Sequence, residues 1–293
     1  MLRLWAAHWI TAVLLSRTVA QYSSDQCSWR GSGLSHESHR RDVEQVYLRC
    51  SQGSLEWLYP TGAIIVNLRP NLERPPGHMA GLHVCIKPQV YSQGSHVYLE
   101  HEGDLRMLLS GQDQAQGAVR CFSLAQGALF VEAIPQKDIS RRITAFQYEL
   151  VPGRGPGAHM YPYLHTGSAP CKPCSDEEVL MAVCTSDFAG SGTFGGVAPA
   201  TKKHNVVSVT LSRLFRQKSG MFVGGGARGR VWSGRLSVPA RCSVHPGGAE
   251  HLLTGSIHFG EPWLGCAPLY KDFLRLYVRA EKAGVNPCQI DTN

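Results

Sequence analysis

Two cysteines spaced by two residues, Cys171-Lys172-Pro173-Cys174, stand directly before a helix-start signal. Cys-x-x-Cys is the spacing of thiol–disulfide exchange, and a helix N-terminus favours the thiolate that such chemistry needs. Thioredoxin-like enzymes, however, carry the motif after a strand in a βαβ frame. Here it follows a proline- and glycine-rich stretch. The pair therefore reads as two separate disulfide partners reaching across the C-terminal half. Thiol exchange would require free or exchangeable thiols at both positions. A structural zinc site would want a second Cys-x-x-Cys or a spaced histidine pair. The cysteines that follow, Cys242, Cys266 and Cys288, lie 24 and 22 residues apart, which is disulfide spacing.

Other arrangements of reactive side chains fall short on geometry. His36-Glu37-Ser38-His39 has one residue between Glu37 and His39. The metalloprotease helix needs two, so that both imidazoles lie on one face. Neither the nucleophile elbow Gly-x-Ser-x-Gly nor the phosphate loop Gly-x-x-x-x-Gly-Lys-Ser/Thr occurs. Asp138, Arg141 and Arg142 form a charged cluster that a surface ion pair accounts for. Gly224-Gly225-Gly226 reads as a mobile basic loop. The expectation is a protein that is not an enzyme and that uses no metal and no cofactor.

The segments that carry these residues point to the outside of the cell. Arg3, the apolar run Leu4 to Leu15 and Thr18-Val19-Ala20 form a secretory signal, residues 1–20, cleaved before Gln21. The run is shorter than the roughly 20 apolar residues of a membrane span, and no later stretch replaces it, so no span is expected. All ten cysteines (Cys27, Cys50, Cys85, Cys121, Cys171, Cys174, Cys184, Cys242, Cys266 and Cys288) follow that cleavage point. An even number in an oxidising compartment makes disulfides the default. Four precede residue 150 and six follow residue 170. Between them Val151 to Pro170 lacks any apolar period and reads as a linker. The expected organisation is 21–150, a linker at 151–170, and 171–293. If disulfides stay within each half, 3 × 15 = 45 connectivities remain open from the ten positions.

The 29 basic and 22 acidic residues give +7, and removing Arg3 and Arg17 with the signal leaves +5. Lysine and arginine occur as isolated pairs, without the concentrated footprint that nucleic acid requires. The basic face of the last helix and the strand from Lys202 to Lys218 are the positions an acidic receptor or a glycosaminoglycan would use. A solvated face is the simpler account of them. No Asn-x-Ser/Thr site is present.

Element signals are mostly β. Ala63 to Leu68 is a β-branched run between turn signals. His96 to Leu99 and Leu105 to Leu109 flank Glu102-Gly103-Asp104 as a hairpin. Ala128 to Ile134 and Ile143 to Val151 follow, the latter with Phe146, Tyr148 and Leu150 on one face. Many short strands with turn punctuation imply an antiparallel sandwich. In the second half, Ser175-Asp176-Glu177-Glu178 is a capping box that starts a helix. Val207, Val209 and Leu211 alternate with polar residues, and His251 to Phe259 is a further strand. Two glycine-rich loops are expected at Gly190 to Gly196 and Gly220 to Arg230. Leu269, Phe273, Leu276, Tyr277 and Ala280 form an apolar helical stripe opposite Lys271, Asp272, Arg275, Arg279 and Lys282, stopped by Gly284 and Pro287. A β-barrel closed by helices fits this order.

Several blocks together resemble one family. They include Gln21 to Leu34 (QYSSDQCSWRGSGL), Val46 to Cys50, Glu56 to Ala63, Asp138 to Arg142, Cys171 to Asp176, Cys184 to Phe188, His258 to Glu261 and Leu264 to Pro268. In these the chain resembles the meteorin family. The resemblance implies a CUB-like β-sandwich followed by a netrin-type, OB-like barrel with flanking helices. It implies a secreted hormone or cytokine-like factor acting on a cell-surface receptor. Family roles are energy homeostasis, adipose thermogenesis, anti-inflammatory signalling and neurotrophic support. It also implies the pairings Cys27–Cys50, Cys85–Cys121, Cys171–Cys242, Cys174–Cys266 and Cys184–Cys288. Netrin-type metalloprotease inhibitors chelate zinc through an N-terminal cysteine; Cys171 is internal, so that chemistry is not carried over. The acidic set by which many CUB modules bind calcium has no match either. The rival class is a matrix module that binds heparan sulfate and tethers other factors.

Overall fold

The computed structural model describes residues 27–33, 43–70, 82–135, 142–152, 173–201, 204–225 and 231–291. The expected signal peptide, His36 to His39, Asp138 with Arg141, nearly all of the expected linker, Cys171, Lys202-Lys203 and Gly226 to Arg230 lie outside them.

Alternation of apolar and polar residues builds ten strands in the first half. They are β1 (Ser28–Ser32), β2 (Glu44–Leu48), β3 (Gln52–Leu58), β4 (Ala63–Leu68), β5 (Leu82–Pro88), β6 (Ser95–His101), β7 (Asp104–Leu109), β8 (Arg120–Ser123), β9 (Ala128–Ala133) and β10 (Ile143–Pro152). Two five-stranded sheets result, sheet A in the order β1-β3-β10-β5-β8 and sheet B in the order β2-β4-β9-β6-β7. Their inner faces meet in one core. Leu55, Trp57, Phe146 and Tyr148 come from sheet A, and Val46, Val66, Leu99 and Val131 from sheet B. This is the aligned sandwich in which each strand gives every second residue to the interior. The β6–β7 hairpin turns through Glu102 and Gly103, at φ 52° and 90°. These left-handed angles match strand twist, and glycine adopts them without a Cβ clash. The short helix α1 (Gly111–Ala115) is an addition to the sequence reading. Ser110 and Asp113 cap it reciprocally, and the buried Gln114 bonds Ser92 Oγ and the Ser95 carbonyl at 2.8 and 2.7 Å.

The second half opens with α2 (Asp176–Thr185), capped by Ser175 and Glu178. Then come β11 (Phe188–Pro199), β12 (His204–Gln217), β13 (Val223–Gly225), β14 (Val231–Pro239), β15 (His251–His258), β16 (Glu261–Leu264) and the helix α3 (Tyr270–Lys282). Strands β12, β11, β15, β16 and β14 pair in sequence, and β12 also pairs with β14, which closes a five-stranded barrel. Phe188, Val209, Leu211, Leu236 and Leu253 fill it. Helices α2 and α3 pack outside through Val179, Val183, Phe273 and Tyr277. The chain is therefore mainly β: a sandwich followed by a closed barrel with helices.

The first expected glycine loop is corrected. Gly190 to Gly196 lies inside β11, which β12 and β15 flank. A Cβ on Gly190 would fall 2.6 Å from the Arg213 carbonyl oxygen, and one on Gly192 would fall 2.2 Å from that of Thr210. These glycines mark close backbone approach at two bulges, not a loop. Part of the second expected loop is likewise the strand β13.

Candidate interaction surfaces

Each described cysteine is disulfide-bonded. Cys27 joins Cys50 and Cys85 joins Cys121, with Cα separations of 4.7 and 4.0 Å. Cys174 joins Cys266 and Cys184 joins Cys288, both with Cα separations of 5.8 Å. The partner of Cys242 rests on residues outside those described. Cys174 is thus tied to a distant cysteine beyond the barrel strands, and Cys184 holds the end of α2 to the segment after α3.

A groove of about 800 Å³ runs beside the Cys174–Cys266 bridge between α2 and α3, lined by Val179, Pro268, Phe273, Leu276 and Val278. Its rim is charged. Arg279 lies 3.3 Å from Asp176, and Arg275 lies 3.5 Å from Asp272. The basic strand singled out in the sequence behaves similarly. Lys218 pairs with Asp187 at 3.3 Å. Arg216 donates to the Val183 and Cys184 carbonyls at the end of α2, where the helix dipole welcomes a cation. Arg213 lies near the Tyr270 hydroxyl, on which its positive charge acts. Much of the positive charge on this face is therefore matched locally, which lowers the field a polyanion would feel.

The sandwich and the barrel meet at the turn between β15 and β16. His258 and Glu261 close that turn across Phe259 and Gly260, which take φ 51° and 77°. A left-handed phenylalanine costs about 1–2 kcal/mol in backbone strain. Its surroundings offset that cost. The ring is 7% exposed and packs on Cys85 and Val151, on the outer face of sheet A. Glu149, also outward on β10 and 8% exposed, receives the Phe259 N–H on Oε1, and His258 Nδ1 lies 3.2 Å from its Oε2. At the rim Lys87 Nζ reaches Glu261 Oε1 at 2.7 Å and lies 5.9 Å from the Phe259 ring centroid. A buried carboxylate is tolerated only when its oxygens are bonded, and Glu149 meets that condition from across the joint. His258 to Glu261 carries a glycine turn signal in the sequence, but nothing local to it identifies Glu149, Lys87 or Cys85 as its neighbours.

Comparison with known proteins covers the whole of this architecture. Residues 29–159 match the family model described as the Meteorin-like protein N-terminal domain, and residues 173–280 match Meteorin, C-terminal domain. A Meteorin-like protein of Danio rerio is 56% identical over 294 residues, 100% of both chains. The Homo sapiens Meteorin-like protein is 51% identical over 96% of this chain and 88% of its own length. The Mus musculus Meteorin is 41% identical over 95% of this chain and 94% of its own.

Proposed function

The chain belongs to the meteorin family, and from that premise we propose that it is a secreted hormone-like or cytokine-like ligand of a cell-surface receptor. The end-to-end family match carries this reading. Disulfides in both halves support it, because such bonds persist in oxidising, extracellular surroundings. The proposed organisation is a signal at 1–20, a CUB-like module at 21–150, a linker at 151–170 and a netrin-type module at 171–293, with Cys171 bonded to Cys242. Recognition then resides in surface patches rather than in catalysis. The proposed programmes are energy homeostasis, adipose thermogenesis, anti-inflammatory signalling and neurotrophic support. The local pairing of Arg216, Lys218, Arg275 and Arg279 weighs against a heparan-sulfate tether as the primary role.

Expression of the full chain in cultured animal cells tests the premise of secretion. The protein is expected in the medium, beginning at Gln21 and without titratable thiols. Retention in the cell, or free thiols in the folded protein, would overturn it.

A further inference from the structure

The two sheets of the sandwich differ in what lies on their outer faces. On sheet A, Cys85, Glu149 and Val151 point outward and are covered by the Phe259 turn. On sheet B the outward residues are open to solvent. Strand register aligns Gln45, Ile65, Phe130, Tyr98 and Met107 in one row across all five strands. Their neighbours along each strand point into the core: Val46, Ile64, Val66, Leu129, Val131, Val97 and Leu99 are all buried. One row further, Tyr47 and Leu105 also face out. Tyr47, Leu105 and Met107 are 49%, 48% and 47% exposed. The solvated face of an antiparallel sheet usually carries polar residues at these positions.

The row is organised. Tyr98 packs edge-on against Phe130 at 6.4 Å and against His96 at 6.3 Å between centroids. Glu132 stands one row away on β9, and Glu100 stands one row away on the other side. An aromatic and thioether centre beside carboxylates has the composition of an interface core. Arg69 stacks over the Tyr47 ring at 5.6 Å, so the face carries a cation at its β2–β4 edge while Glu100 and Glu132 flank the aromatic centre.

The flanking carboxylates select the occupant. Sulfated polysaccharide would be repelled by Glu100 and Glu132, and a second copy would bring the same carboxylates against them. We infer that the outer face of sheet B is the docking surface for a protein partner whose contact patch sets lysine or arginine beside an apolar or aromatic centre. The inference rests on the receptor-ligand reading and assigns that contact to the sandwich rather than to the basic face of the barrel.

Met107→Arg and Glu132→Lys change the face in two independent ways at exposed positions, and Val223→Arg serves as control on the barrel, where Val223 is 66% exposed. Labelled mature protein is titrated onto adipocyte, macrophage and glial cultures after enzymatic removal of heparan sulfate. Thermal midpoints of all variants are checked against wild type. Each sheet-B variant is expected to bind at least about tenfold more weakly, a loss of about 1.4 kcal/mol, with the control within about twofold of wild type. Saturable wild-type binding with both sheet-B variants unaffected would overturn this inference alone. So would wild-type self-association at assay concentration that the same variants abolish. Absence of saturable wild-type binding on every culture would overturn the receptor reading and this inference with it.

Discussion

Tyr148 shows how a single group in the core sets a pH limit. It is fully buried on β10, and its hydroxyl donates to the Cys27 carbonyl at 2.9 Å. Burial pushes its pKa from 10.0 up to about 12. The unfolded chain ionises this hydroxyl near pH 10 and the folded chain does not, so its contribution is complete below pH 10 and is lost as pH rises toward about 12. The loss amounts to about 2–3 kcal/mol. Tyr148→Phe should flatten that alkaline limb in rapid urea titrations and cost about 1 kcal/mol at neutral pH by orphaning the Cys27 carbonyl. An alkaline limb as steep as wild type would contradict the assignment. Glu149 makes a second test. Glu149→Ala removes the acceptor for the Phe259 N–H and the partner of His258. The expected cost is about 1–3 kcal/mol, with faster hydrogen exchange at the Phe259 amide. Unchanged protection there would show that the carboxylate does not hold the turn.

At the scale of elements, glycine placement decides whether β11 can form. Gly192→Ala drives a Cβ to 2.2 Å from the Thr210 carbonyl oxygen, whereas at Gly196 the nearest atom, Ser208 Oγ, lies 3.8 Å away. Gly192→Ala should therefore lower the thermal midpoint by several degrees, on the scale of a 1–3 kcal/mol overpacking loss, and Gly196→Ala should leave it nearly unchanged. Equal midpoints would refute the close-approach account. The same strand shows where reading the sequence fails. Local signals revealed α2 through its Ser175–Glu178 box and α3 through its apolar stripe, because capping and helical period are encoded within a few residues. A run such as Phe188–Pro199 has the composition of a loop. Only the neighbouring strand, whose backbone occupies the space of the missing side chains, makes it β. Helix α1 was missed for the opposite reason: its box, Ser110 and Asp113, uses aspartate where glutamate is the familiar signal.

For the whole molecule, composition and cysteine distribution made the mainly β, two-part architecture legible, since strand alternation and turn punctuation repeat along the chain. The joint was not legible. Glu149 and Phe259 are 110 residues apart, and neither residue is unusual in its local context. The outer row of sheet B was hidden likewise, because Gln45, Ile65, Phe130, Tyr98 and Met107 come together only through register. The proposed recognition of this disulfide-braced chain by a protein receptor is open to direct measurement. The most direct measurement is saturable binding of labelled mature protein to heparan-depleted cells between about 0.1 M and about 1 M salt. Over that range the screening length falls from about 10 Å to about 3 Å. Binding is expected to persist through depletion and most of the salt range, as a packed interface should. Binding that vanishes with depletion, or collapses as salt rises, would contradict that recognition and make the matrix role primary.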